Sequence, residues 1–246
     1  MATQSRAGAL PAVLLTRPPA QGDRLADQLR AQLGPGLRLV TSPLMAPVFP
    51  EVVLPPGDWA GYVLTSETGV QALLRRGLPV RPAWCVGDRT AQAAREAGLP
   101  ARSAAGDAAA LVAAILAAGP QGPLLHLRGR EARGQVAARL TAAGQPAAEA
   151  VVYAQEPRPL SDAAAALLAG PGPVAIPVFS PRTAALLAAD PAVRGARAPL
   201  WLAAISPAAA EPLAALRPDR LKIALRPDAA SMLAALDDLI QDGSKP

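Results

Sequence analysis

The residues of this chain that could do chemistry are few. There is one cysteine, Cys85 in AWCVG, and one histidine, His126 in PLLHLRG. A thiol and an imidazole form a nucleophile–base pair when the thiol sits on a turn that presents it to a substrate. Cys85 instead lies within an apolar strand pattern, which suits a small core residue. It has no second cysteine for a disulfide and no second soft ligand for a metal. The composition therefore argues against a hydrolytic triad and a transition-metal centre, and no dinucleotide-binding glycine pattern is present, so the sequence calls for no cofactor.

Hydroxyls and backbone amides at strand-to-helix turns are more numerous. In AWCVGDRTAQAAREAGLP an apolar strand, Ala83 to Val86, runs through Gly87-Asp88 into a helix that ends at Gly98, with Thr90 in its first turn. Such a turn leaves backbone N–H groups unpaired, and the helix dipole adds partial positive charge, so carboxylates or phosphates can sit there. By itself the pattern only redirects a chain in most proteins. Tyr153, at the end of the apolar run VVY, has a phenol that can donate a proton or merely pack.

The elements that must position these groups alternate along the chain. A strand over 12–16 is followed by a helix from Gln21 to Leu33, then by a strand-like run to Val53. GYVLTS (61–66) leads to a helix over Thr68 to Arg75, and GDAAALVAAILAAG (106–119) opens a helix at the N-cap Asp107. PLLHLRG precedes a helix over Glu131 to Ala143, and 148–155 is a strand. Strands alternating with helices predict an α/β fold with parallel sheets flanked by helices.

Composition narrows the partners. The net charge of +5 is almost all arginine, scattered, with aromatics at only 3%, which disfavours nucleic acid and suits a small polyanionic ligand or, equally, ordinary surface arginine in an Ala- and Arg-rich chain. No apolar run is long enough for a bilayer. The N-terminal MATQSRAGALPAVLL breaks its apolar stretch at Pro11, so the expectation is a cytoplasmic protein without membrane contact.

The chain also repeats. YVLTSETGVQALL returns as PVFSPRTAALLAA, with Ser66 and Ser180 114 residues apart (66 to 180); AWCVGDRTAQAA returns as WLAAISPAAAEPL, with Val86 and Ile205 119 apart (86 to 205). GDAAALVAAI returns as PDAASMLAAL, Asp107 and Asp228 lying 121 apart (107 to 228). Three units in one order at nearly constant offset predict two copies of one α/β domain, whose facing turns would line a cleft with amides and hydroxyls.

LLTRPPAQ, YVLTSETGV, WCVGDRTAQAAREAGL, LLHLRGREARGQVAARLTAAG followed by VVYAQEP, VFSPRTAALL and ISPAAAEPLAAL, in this order over about 12 to 240, resemble the uroporphyrinogen-III synthase family. The resemblance implies two similar α/β domains joined by a pair of extended linkers. One domain would be discontinuous, 1–40 with 158–246, the other 45–153, and the linkers 41–44 and 154–157. Both linker regions, LVTSPLMAPVFPE and VVYAQEPRPL, carry prolines that favour extended chain.

It further implies cyclisation of hydroxymethylbilane, a polycarboxylate, to uroporphyrinogen III, with loss of water and inversion of ring D. The enzyme would be a cytoplasmic monomer, a hydro-lyase of heme biosynthesis without cofactor, in transient contact with the preceding pathway enzyme. Tyr153 matches the family tyrosine that protonates or positions the leaving hydroxyl. Ser66, Thr90 and Ser180 would offer hydroxyls to the acetates and propionates. Gly87, Asp88, Arg89, Gly129, Pro181 and Arg182 would offer turn backbone, and Arg17 and Arg128 bidentate contacts. Ser66 and Ser180 equally suit helix N-capping. One departure stands out: where the family often has Gly-Pro-Thr-Thr-Ala, this chain has Ser206-Pro207-Ala208-Ala209-Ala210, so a substrate-facing hydroxyl is missing and Ser206 replaces glycine. That change slightly favours the rival reading, a non-catalytic tetrapyrrole-binding relative, which the retained Tyr153 and Thr90 oppose.

Overall fold

The computed structural model describes residues 10–132 and 134–244. The chain starts with β1 (Ala12–Leu15), α1 (Pro19–Leu33), β2 (Leu39–Thr41) and β3 (Met45–Val48). It continues through β4 (Gly61–Leu64), α2 (Glu67–Arg75), β5 (Ala83–Cys85), α3 (Asp88–Glu96), β6 (Ala101–Ser103), α4 (Ala108–Ala118), β7 (Leu124–Gly129), α5 (Val136–Ala142) and β8 (Ala147–Pro157). It then runs through α6 (Asp162–Leu168), β9 (Val174–Val178), α7 (Pro181–Ala189), α8 (Pro191–Arg194) and β10 (Leu200–Ala204). The last elements are α9 (Pro207–Ala210), a 3-10 helix (Glu211–Leu216), β11 (Arg220–Ile223) and α10 (Ala229–Ser244).

Two compact units result: the described residues up to Ala46 with those from Pro157 onward, and Pro47–Glu156. The first is built on a five-stranded sheet in the order β11-β10-β9-β1-β2, the second on a six-stranded sheet in the order β3-β8-β7-β4-β5-β6. Strands β1, β4, β9 and β10 are buried along their whole length, as parallel strands covered on both faces must be. Alternation sorts their side chains. In the first unit Val13 and Leu15 pack with Leu25 and Leu29 of α1 and Leu236 of α10, while Leu14 meets Leu168 of α6 and Leu187 of α7. In the second, Val63 packs with Leu111 of α4 and Leu140 of α5, and Tyr62 and Leu64 face Val70 and Leu73 of α2 and Ala94 of α3.

The two sheets share one arrangement in a permuted chain order. With Ser66 equivalent to Ser180, Gly61 falls on Ala175, and their strand partners Leu124 and Val13 coincide. The same pairings place His126 on Leu15, Arg128 on Arg17, Glu149 on Thr41, and Gly87 on Ser206. In the second unit α4 leads directly into β7. In the first, the strand in that position is β1, from the other end of the chain, and α10 closes the sequence.

Several expected boundaries move. The helix expected over Glu131 to Ala143 begins at Val136, because Gly134 and Gln135 have φ of 93° and 46°, outside the right-handed helical region. The strand-like run to Val53 ends at Val48; Phe49, Val52 and Leu54 still pack against the core, but prolines 47, 50, 55 and 56 remove ladder donors. The strand at 83–86 stops at Cys85, the one at 148–155 extends over Ala147–Pro157, and α1 starts at Pro19, where a proline without N–H suits a first turn. Asp107 caps α4 by accepting from the Ala109 and Ala110 amides at 2.8 and 2.9 Å, and Asp228 accepts from the Ser231 amide at 2.7 Å, so the third repeat holds in three dimensions.

Candidate functional site

In open parallel sheets ligands bind beyond the carboxyl ends of the strands, where the strand order reverses. In the second unit the reversal lies between β4 and β7, in the first between β9 and β1. The residues at the carboxyl ends of these strands are Thr65-Ser66 and Gly129, and Phe179-Ser180 and Thr16-Arg17.

At the second unit's reversal three residues form one assembly. Ser66 is the N-cap of α2 and accepts the Gly69 amide at 3.0 Å. Its Oγ lies 2.7 Å from the Tyr153 hydroxyl, which arrives from β8. Either hydroxyl can be the donor. With one Ser66 lone pair already taken by Gly69, the serine hydrogen is free for Tyr153 Oη, and in that arrangement the phenol keeps its own proton for a third group. The tyrosine ring lies directly on Gly129: a Cβ there would stand 2.6 Å from the ring atoms Cε2 and Cζ and 2.8 Å from Oη. The register slips between Arg128 and Gly129, where Gly129 comes to pair with Tyr153. Glycine is thus required by a close approach of backbone to ring. Tyr153 is buried.

The four helix starts that carried the repeat share one backbone geometry. Ser66, Ser180, Ser206 and Gly87 have φ between −162° and −148° and ψ between 153° and 170°. The serines accept from the amides of Gly69, Thr183 and Ala209. Gly87 has no side chain to do so, and the first-turn amides of α3 lack a side-chain cap. Asp88 and Arg89 are exposed beside them, whereas Thr90 is buried under the turn, packed with the core rather than presented outward.

In the first unit Arg17 leaves the end of β1, lies 4.0 Å above the Phe179 ring and donates to Gln21 Oε1 at 2.7 Å through Nη2. Ser180 and Thr183 share a hydroxyl–hydroxyl hydrogen bond of 2.9 Å, and Pro181 and Arg182 are exposed in the first turn of α7. Ser206 begins a helix of only four residues that tightens into 3-10 geometry.

Not every candidate joins these groups. Arg128 turns to the other face of its sheet: Nη2 donates to Glu149 at 2.8 Å and Nη1 to the Gly129 carbonyl at 3.1 Å. Cys85 belongs to the cluster of Leu125 and Leu127, whereas alternation puts His126 on the opposite face, so the two do not meet. Burial pushes the Cys85 thiol up to about 11, and its protonated form is no nucleophile. Burial likewise, assisted by Arg128 and opposed by Glu149, holds the His126 imidazole down to about 4. The Thr65–His126 contact, 3.4 Å between Oγ1 and Nε2, escapes a reading of the sequence, which offers only an isolated histidine on an apolar strand. Among the described residues no three His, Cys, Asp or Glu side chains group so as to hold a metal, and no helix is long and apolar enough to cross a membrane.

Two doubly covered parallel sheets, each with hydroxyls gathered where its strand order reverses, accompanied by an arginine in the first and a phenol in the second, define a two-unit α/β protein. The profile of the family HEM4, uroporphyrinogen-III synthase HemD, matches residues 21–234. The chain belongs to that family, and its function is the family's, uroporphyrinogen-III synthesis in the tetrapyrrole pathway to heme. The fold is similar to that of uroporphyrinogen-III synthetase from Helicobacter pylori 26695, with 15% identity, a TM-score of 0.58, and 92% of this chain and 97% of that chain covered. The wild-type uroporphyrinogen III synthase of the extremely thermophilic bacterium Thermus thermophilus aligns at 19% identity over 96% of this chain and 100% of its own, with a TM-score of 0.39. No curated protein matches the chain in sequence.

Proposed function

We propose that the chain acts as a carbon–oxygen lyase on hydroxymethylbilane, with Tyr153 as the group that assists departure of the hydroxyl. The terminal C–O bond breaks as the oxygen takes a proton and leaves as water. The resulting azafulvene cation is attacked by the substituted carbon of ring D, and the spiro intermediate rearranges to close the macrocycle with that ring inverted. The last step returns one proton to solvent. Little of this needs a strong nucleophile; it needs a proton donor at one oxygen and a substrate held in one conformation.

The observation that supports the reading is the 2.7 Å bond between Tyr153 Oη and Ser66 Oγ at the reversal of the second sheet. It ties the phenol to the serine that caps α2 and orients it. Gly87, Asp88, Arg89 and Gly129 are assigned to substrate through their backbone. In the first unit Arg17, Ser180, Pro181, Arg182 and Ser206 are assigned to its carboxylates. Thr90 supports the turn from beneath. Arg128, held by Glu149, is left out of the substrate set. The protein works as a cytoplasmic monomer. Incubation with enzymatically generated hydroxymethylbilane, followed by separation of the isomers, tests the proposal: type III should dominate, and a product no richer in type III than the protein-free control would refute it.

A further inference from the structure

One polar cluster of the second unit takes no part in the chemistry above. His126, Arg128 and Glu149 share the face of β7 and β8 beneath α5, and with Gln135 and Thr141 they line a cavity of about 770 Å³ whose remaining wall is mostly alanine. His126 is 1% exposed. Its Nδ1 is buried and has no hydrogen-bond partner among the described residues, and the same holds for Arg128 Nε. A buried polar atom left unpaired is costly, so two of them in one cavity wall ask for an explanation.

The other copy of the repeat supplies the control. The position of His126 is held there by Leu15, that of Thr65 by Phe179 and that of Glu149 by Thr41. The fold is therefore built equally well with apolar side chains at the buried position of His126 and at the half-buried position of Thr65. The helices differ in the same place. α1 has 15 residues and lays Leu25, Ala26 and Leu29 against Val13 and Leu15, whereas α5 has 7 and leaves part of the equivalent face open. In the first copy a packed leucine thus stands where, in the second, a histidine lines open volume.

We propose that this cavity is a second small-molecule site, separate from the synthase site, that takes an organic carboxylate with an apolar body. With Thr65 Oγ1 as the donor to His126 Nε2 the imidazole hydrogen sits on Nδ1, and Nδ1–H and Arg128 Nε–H are then two unpartnered donors on one face of a strand. They are two residues apart on β7, about 7 Å between Cα atoms, a span that one carboxylate reaches when both side chains lean toward it. The alanines of α5 and of early β8 provide an apolar floor, and the volume lies in the range of ordinary ligand pockets.

The chain's single histidine makes the test specific, since imidazole ¹⁵N resonances report only His126. Benzoate should shift them saturably with a dissociation constant of about 1 mM or tighter, while the neutral isostere benzamide leaves them in place. Saturating uroporphyrinogen III should not abolish the shift. His126→Leu, which installs the residue of the other copy, should weaken benzoate binding by calorimetry roughly tenfold or more, with uroporphyrinogen III formation unchanged. Ala138→Trp, at an exposed position lining the cavity, should block binding by occupying it. The proposal fails if benzoate gives no saturable shift, if benzamide binds as well, if the product displaces benzoate, or if both variants bind like the wild type.

Discussion

Gly129→Ala perturbs the proposed proton donor without replacing it. The added methyl would stand 2.6 Å from two atoms of the Tyr153 ring and 2.8 Å from its oxygen. Carbon atoms in comfortable contact are about 3.5 to 4 Å apart, so the ring must retreat by roughly 1 Å. Its hydroxyl is 2.7 Å from Ser66 Oγ, and a retreat of about 1 Å takes that pair past hydrogen-bond range. Gly129 does not have a left-handed φ, so the substitution introduces no backbone strain and the effect is confined to the ring.

Stability should fall by about 1 to 3 kcal/mol, the usual range for an overpacked site. Turnover should fall further, by roughly a hundredfold, because a displacement of about 1 Å at a catalytic group costs on that order. The assay is initial-rate formation of uroporphyrinogen III from hydroxymethylbilane, with isomers separated and melting temperature recorded on the same preparations. The double variant Gly129→Ala with Tyr153→Phe separates the mechanism from general damage. If the methyl acts by displacing the phenol, the double variant should turn over like Tyr153→Phe alone, since its hydroxyl is already absent. Additive losses, or a Gly129→Ala enzyme with near-normal turnover, would refute the reasoning.

Three further outcomes are expected. Tyr153→Phe should lower turnover by roughly tenfold to a thousandfold with little change in melting temperature, whereas Tyr153→Ala should also cost a few kcal/mol in unfolding experiments through the lost ring. His126 has its folded-state pKa lowered from 6.5 to about 4, so the unfolded chain binds the proton first and stability is lost as pH falls from about 6.5 to about 4. At about 1.4 kcal/mol per pKa unit this amounts to about 3 kcal/mol, and denaturant titrations at several pH values should show a shallower slope for His126→Leu; equal slopes would refute burial as the cause. With one histidine and one cysteine in the chain, dialysis against a chelator should leave uroporphyrinogen III formation intact, and a loss reversed by added metal would contradict that.

What is legible in the sequence is whatever depends on neighbouring residues. The serine caps at 66 and 180 and the aspartate caps at 107 and 228 are local: the side chain bonds an amide two or three residues on, so residue type and position suffice. The start of α5 is only half legible, because the sequence from Glu131 onward reads as helix. Gly134 is the one residue-type signal against that reading, and the left-handed φ at Gln135 that completes the break has none. Arg128 reads as a cleft residue because of its place at a strand end. Which way it turns depends on Glu149, 21 residues later on the next strand.

The Ser66–Tyr153 bond joins residues 87 apart, and it exists because β7 lies between β4 and β8 and carries glycine where the ring must pass. Repeat spacing alone gives neither fact. It does give the comparison that makes them informative. Once register aligns the copies, each position in one sheet has a counterpart that met the same packing demand. Arg17 and Arg128 are identical counterparts with different partners, Phe179 and Gln21 in one case, Glu149 in the other. Ser206 and Gly87 keep one backbone geometry, but only the serine caps its helix. Where counterparts agree, as at Ser66 and Ser180, the fold accounts for the residue. Where they differ in polarity while the backbone stays the same, as at His126 and Leu15, packing does not account for the difference, and a ligand is the explanation to test.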